Sequence, residues 1–124
     1  MRKLLFLAAV NGGLAVLLGA FAAHGLSGRL APDRLAVFDT GARYHLAHAL
    51  AMGLAALAAR ESAASRAATA GWLFLAGILL FCGSLYGLAL TGISTLGYLT
   101  PFGGLAFVAG WGFLAAAALK GQEA

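Results

Sequence analysis

Residues 67–90, AATAGWLFLAGILLFCGSLYGLAL, run for 24 positions without a charged side chain. About 20 mostly apolar residues in a helix span the hydrocarbon core of a bilayer. This stretch therefore predicts a membrane-spanning helix, and three more windows of the same kind lie around it. Residues 4–23 hold Asn11 as their only strongly polar side chain. Residues 44–59 are shorter and carry His45 and His48 near their start. Residues 99–119 open on Thr100-Pro101, where threonine suits the cap and proline the first helical turn.

The composition supports a bilayer as the solvent. Of 124 residues, 62% are hydrophobic and 10% charged, against about 45–50% and 25% in soluble domains. A small soluble domain leaves too much surface in water to hide such a chain. The formal charge of +4 comes from eight Lys and Arg residues scattered through connecting segments. With no basic face, they read as topology signals and headgroup contacts, and nucleic acid is not an expected partner. The single cysteine, Cys82, sits among apolar residues and excludes an internal disulfide or a cysteine metal site.

The expected fold is all-α: a four-helix transmembrane bundle with a short amphipathic interfacial helix between spans 1 and 2. That helix starts at Pro32-Asp33 and places Leu35, Phe38, Ala42 and Leu46 on one side. Asp39 and Arg43 pair at i, i+4. A bend near Thr40-Gly41 leads into the second span; one uninterrupted helix from Pro32 is the alternative. The first window also has signal-peptide features, a basic start and Ala20-Phe21-Ala22. Its apolar run exceeds the usual length and three spans follow, so it reads as a retained span. Arg2, Lys3, Arg60, Arg66 and Lys120 fall on one side of the membrane and Arg29, Arg34 and Arg43 on the other. Five against three puts both termini in the cytoplasm.

Helices in lipid pack through small residues. At 100° per residue, Ala8, Gly12, Ala15, Gly19 and Ala22 share a side with Asn11, which is expected to bond to another helix. Gly77, Gly83, Ser84, Gly87 and Thr91 form a second stripe. Gly103, Ala106, Gly110 and Ala117 form a third. Packing within the chain accounts for these stripes, with a homo-oligomer as the alternative.

The polar residues gather in TGARYHLAHAL, residues 40–50. His45, His48 and Tyr44 share a helical face near the expected start of span 2. The first reading is an anchor, with the imidazoles bonded to His24, to backbone near Gly25 and to the Thr100-Pro101 cap. The second is a membrane-embedded metal, proton or catalytic site built on His24, His45 and His48. Two histidines at i, i+3 without a carboxylate match no recognised metal motif, and no Ser or Cys stands near His45 or His48 in sequence. No cofactor and no catalytic residue are assigned. The leading expectation is a non-enzymatic membrane component supporting transport or membrane integrity.

GAFAAHGL at residues 19–26, TGARYHLAHAL at 40–50, FCGSLYGLAL at 81–90 and LGYLTPFGGLAFVAGW at 96–111 together resemble the domain-of-unknown-function family 423. The resemblance covers nearly the whole chain. It implies a four-span protein of the bacterial inner membrane, with residues 19–25 part of the mature chain. The family pattern usually has glycine at Ala22 and serine at Cys82, and both differences keep a small side chain. His24, Tyr44, His45, His48 and Thr100-Pro101 match motif positions. The family implies no chemistry for them.

Overall fold

The computed structural model describes residues 2–60 and 64–123, so the centre of the 60–66 loop lies outside the described residues. Among the described residues it is all-helical, with four helices. α1 is Arg2–Gly25, its last turn a π-turn over Phe21–Gly25. α2 is Pro32–Ala58. α3 is Ala64–Thr91, with a π-turn at Ile78–Cys82. α4 is Thr100–Glu123, preceded by a 3-10 turn at Ser94–Tyr98. Three helices, Arg2–Gly25, Ala64–Thr91 and Ser94–Lys120, are long and apolar enough to cross a membrane.

The helix ends follow from local chemistry. Ala31 is extended, at φ −57° and ψ 146°, as a residue before proline prefers. Pro32 then occupies the first turn, where its missing N–H costs nothing, and Asp33 meets the positive end of the helix dipole. Gly92 ends α3 in the left-handed region, φ 75°, with its N–H on the Leu88 carbonyl at 2.8 Å. Thr100 does not cap α4 as expected. Its hydroxyl lies 2.6 Å from Ser84 Oγ and ties the start of α4 to α3.

The amphipathic stretch expected at the interface forms the first turns of α2. It continues without a bend, so the uninterrupted helix is the reading that forms. Thr40 bonds the Ala36 carbonyl at 2.9 Å and stays helical. Gly41 serves close approach instead of a kink: a Cβ there would lie 3.0 Å from the Tyr86 ring. The interior face of α2 runs through Phe38, Ala42, His45, Ala49 and Met52. Leu46, expected on that side, points outward. Asp39 and Arg43 pair at 3.0 Å on the surface.

Packing follows chain order: α1 on α2, α2 on α3, α3 on α4. The main core joins Leu4 and Ala8 to Ala51, Met52, Ala55, Ala70, Phe74 and Phe107. Much of the interior is alanine, while Phe6, Leu17, Leu50, Leu79, Leu105 and Val108 face outward. Small inside and large outside is the arrangement lipid favours, because close backbone approach holds the helices together.

The small-residue stripes are only partly where uniform periodicity put them. In α1, Ala8, Asn11, Ala15 and Ala22 are buried, but Gly12 and Gly19 meet no neighbour. Gly103 is pressed against α3, where a Cβ would come 2.6 Å from Phe81 Cβ. Gly110 accommodates the Phe74 ring and Gly87 the tip of Leu96. Gly83, expected at a helix contact, faces open space. The π-turn just before it inserts an extra residue into the helical repeat and rotates everything after it. Ser84 of the same stripe keeps the buried side, and Ala89 joins it.

Gly103→Leu should lower stability in detergent by about 1–3 kcal/mol through overpacking. Gly83→Leu should melt with the parent or slightly above it, since glycine is a poor helix former. Thermal unfolding of both variants checks this. Equal destabilisation by the two would contradict the packing described.

Candidate polar centre

His45 and His48 stand three residues apart on α2, yet they serve different neighbours. His45 Nε2 lies 2.9 Å from Asn11 Oδ1 on α1, and its Nδ1 lies 2.9 Å from Tyr86 Oη on α3. Asn11 Nδ2 donates to the Leu7 carbonyl at 2.9 Å. That bond fixes the direction of the whole chain. The amide nitrogen must face Leu7, so the amide oxygen faces His45 and can only accept. His45 therefore carries its proton on Nε2, and Nδ1 accepts from the Tyr86 hydroxyl.

His48 takes the opposite tautomer. Its Nδ1 donates to the Tyr44 carbonyl at 2.8 Å, one turn back on α2. Its Nε2 accepts from Trp111 Nε1 of α4 at 3.1 Å, because an indole nitrogen can only donate. Phe107 stacks on the imidazole with centroids 3.6 Å apart and planes 12° from parallel. Phe74 and Trp111 pack edge-to-face beside it at 5.0 Å. His45 thus fastens α2 to α1 and α3, and His48 fastens it to α4.

These partners differ from those the sequence suggested. α2 begins at Pro32, so His45 lies thirteen residues into the helix, about 20 Å from its start. It sits opposite the middle of α1 and away from the loop. His24 is exposed in the π-turn ending α1. It follows Asn11, the partner of His45, by thirteen residues, again about 20 Å. The three histidines do not converge. Among the described residues, no group of three His, Cys, Asp or Glu side chains could hold a metal ion. Thr100 is spent on Ser84. Tyr44 contributes its carbonyl to His48; the residue is 45% exposed, and its ring packs on Phe81 at 4.8 Å.

Asn11 is turned inward and bonded across helices. Tyr86 and Trp111 carry no local sequence mark as partners. Both are aromatic residues in apolar runs, and each holds one polar atom. The legible signal was scarcity: buried ring nitrogens need partners, and Asn11 and Trp111 in mid-helix, with Tyr86 toward the end of α3, are among the few that could serve.

The Asn11–His45 contact can be weighed directly. A double-mutant cycle with Asn11→Ala and His45→Ala, read by unfolding in detergent or bicelles, should give a coupling of about 0.6–1.7 kcal/mol, the span found for hydrogen bonds between membrane helices. Strictly additive effects would mean the two side chains do not meet.

A family model described as a protein of unknown function, DUF423, matches residues 18–104. The UPF0382 membrane protein YwdK of Bacillus subtilis is 49% identical over 121 residues, covering 97% of this chain and 98% of the relative. A UPF0382 membrane protein of Haemophilus influenzae is 43% identical over 123 residues, 98% of each chain. The Staphylococcus aureus protein SAB0533, also named a UPF0382 membrane protein, is 40% identical over 120 residues, 97% of this chain and 98% of its own. No solved structure matches. With most of its length matched by the family model and nearly all of it aligned to these relatives, the chain belongs to the DUF423 family of membrane proteins.

Proposed function

We propose that this protein is a four-span, non-enzymatic component of the bacterial inner membrane that supports membrane integrity. The observation carrying this reading is the use made of the histidines: all four ring nitrogens of His45 and His48 are engaged by Asn11, Tyr86, Trp111 and the Tyr44 carbonyl. The polar atoms act as fasteners between helices. The chain from Tyr86 through His45 and Asn11 ends on the Leu7 carbonyl, which passes no proton onward. This favours a strut over a relay.

The same contacts support α2 as the fourth span. Its histidines lower its hydropathy, but both are turned inward, while Leu46, Leu50, Leu54 and Leu57 face outward. From His45 onward α2 pairs its polar side chains inside and sets leucines outside, which suits hydrocarbon, while its charged pair Asp39–Arg43 stays exposed nearer its start. Arg2 and Arg60 line one groove and so share one end. With the basic residues counted by side, both termini lie in the cytoplasm.

Two measurements test this reading. Reporter fusions at the C-terminus and in the 60–66 loop should read cytoplasmic and one at Gly28 external; a cytoplasmic signal at Gly28 would overturn the topology. Deleting the gene should raise the permeability of the cell to a membrane-excluded dye. His45→Asn and His48→Gln variants that accumulate normally should restore the barrier, because neither role is chemical. A folded variant that fails to do so, or stoichiometric zinc lost on His48→Ala, would favour a metal or catalytic site.

A further inference from the structure

The end of the molecule that carries the first residues of α1 and the last of α2 holds a groove of about 320 Å³ lined by Arg2, Leu5, Ala56, Leu57 and Arg60. Its composition is unusual for this chain. Arg2 of α1 and Arg60, two residues past the end of α2, both line one recess, while its remaining lining is apolar. Leu5 and Leu57 are half exposed, 46% and 52%, so the recess opens to the surroundings of the bundle. Like charges brought together repel unless an anion lies between them. The segments at this end contain Arg2, Lys3, Arg60, Arg66 and Lys120 against Glu61 and Glu123, so the local field favours an anion.

The shape of the recess narrows the class of anion. Guanidinium presents a planar fork of donors that matches phosphate oxygens. The rest of the lining, Leu5 of α1 with Ala56 and Leu57 of α2, gives the recess an apolar track. An inorganic anion would use the charged rim and leave the track empty. A molecule with a phosphate head and a hydrocarbon tail fits both. Basic recesses between membrane helices on the cytoplasmic side are suited to anionic headgroups.

We propose that this groove is a binding site for an anionic phospholipid, with its phosphate held between Arg2 and Arg60 and an acyl chain lying along Leu5 and Leu57. The site supplies a partner for the membrane-integrity reading above, on which it builds. It differs from the bulk contacts of the outer leucines, because it selects a headgroup. It also joins α1 to α2 at the end away from Arg34, whose Nε bonds the Ala89 carbonyl of α3 at 2.8 Å.

The test uses the full chain purified in a mild detergent and examined by native mass spectrometry. Dioleoylphosphatidylglycerol and dioleoylphosphatidylcholine serve as probes, with inorganic phosphate as competitor. Expected are tight adducts of phosphatidylglycerol over phosphatidylcholine, unaffected by inorganic phosphate. Arg2→Gln and Arg60→Gln should each weaken the preference about fivefold, the worth of one basic residue at a membrane surface. The pair together should abolish it, and Arg29→Gln in the exposed loop between α1 and α2, at the other end, should change nothing. Unfolding temperatures without lipid confirm that the variants are folded. Should Arg2→Gln disturb insertion, Arg60→Gln with the charge-restoring Arg60→Lys carries the test alone. Equal uptake of the two lipids, or full preference in the folded double variant, would overturn the site. Competition by inorganic phosphate would show a simple anion site and overturn the lipid assignment. Binding is read on purified protein, so its failure leaves the dye-permeability result standing, and the reverse also holds.

Discussion

A polar atom buried between packed apolar helices must find its partner within the protein, because no water is there to serve it. α2 brings the heaviest demand of this kind, two imidazoles in the interior, and the rest of the bundle is arranged to meet it. Asn11 turns α1 so that its amide faces His45. Tyr86 brings α3 across Gly41, where the missing side chain lets the ring lie against the α2 backbone. Trp111 sends its indole N–H from α4 to His48. Each bond is individually modest in a membrane. Their combined effect is directional: α2 can sit in one rotation only, and the other three helices take their places around it.

The apolar packing reinforces the same geometry. Alanines at 51, 55, 56 and 70 let helices approach, and Phe74 and Met52 fill the space between them. Phe107 does two jobs, covering His48 and closing on α3, where Gly77 makes room for its ring. Ser84 and Thr100 add a hydroxyl pair between α3 and α4. Bulky side chains are left to the outside, where hydrocarbon is as good a neighbour as protein.

Composition and window length made the fold legible, since 62% hydrophobic residues with so few charges admit few other architectures. Pro32 marked the start of α2, and Asn11 was recognised as an inward-facing residue by the small residues beside it. Two kinds of information were hidden. The π-turn at Ile78–Cys82 leaves no clear trace in sequence, and it shifted the helical phase enough to turn Gly83 outward. The depth of the histidines depended on where α2 begins. Starting the helix near Tyr44 placed them at the membrane surface beside His24; starting it at Pro32 places them mid-bundle beside Asn11 and Trp111. Glycine at position 41 was read as a hinge, and it is a point of close approach.

What distinguishes a fastener from a reactive site is the state of the two rings. The hydrogen-bond directions require opposite neutral tautomers, His45 protonated on Nε2 and His48 on Nδ1. Solid-state NMR of the protein in bilayers, with nitrogen-15 in the histidine rings and assignment by His45→Asn and His48→Gln, reads this directly. Expected are one ring of each tautomer, with couplings from His45 to Asn11 and from His48 to Trp111. Two rings of the same tautomer, or ring nitrogens exchanging with water or bound to a metal, would contradict the histidines as the bonds that hold this bundle together.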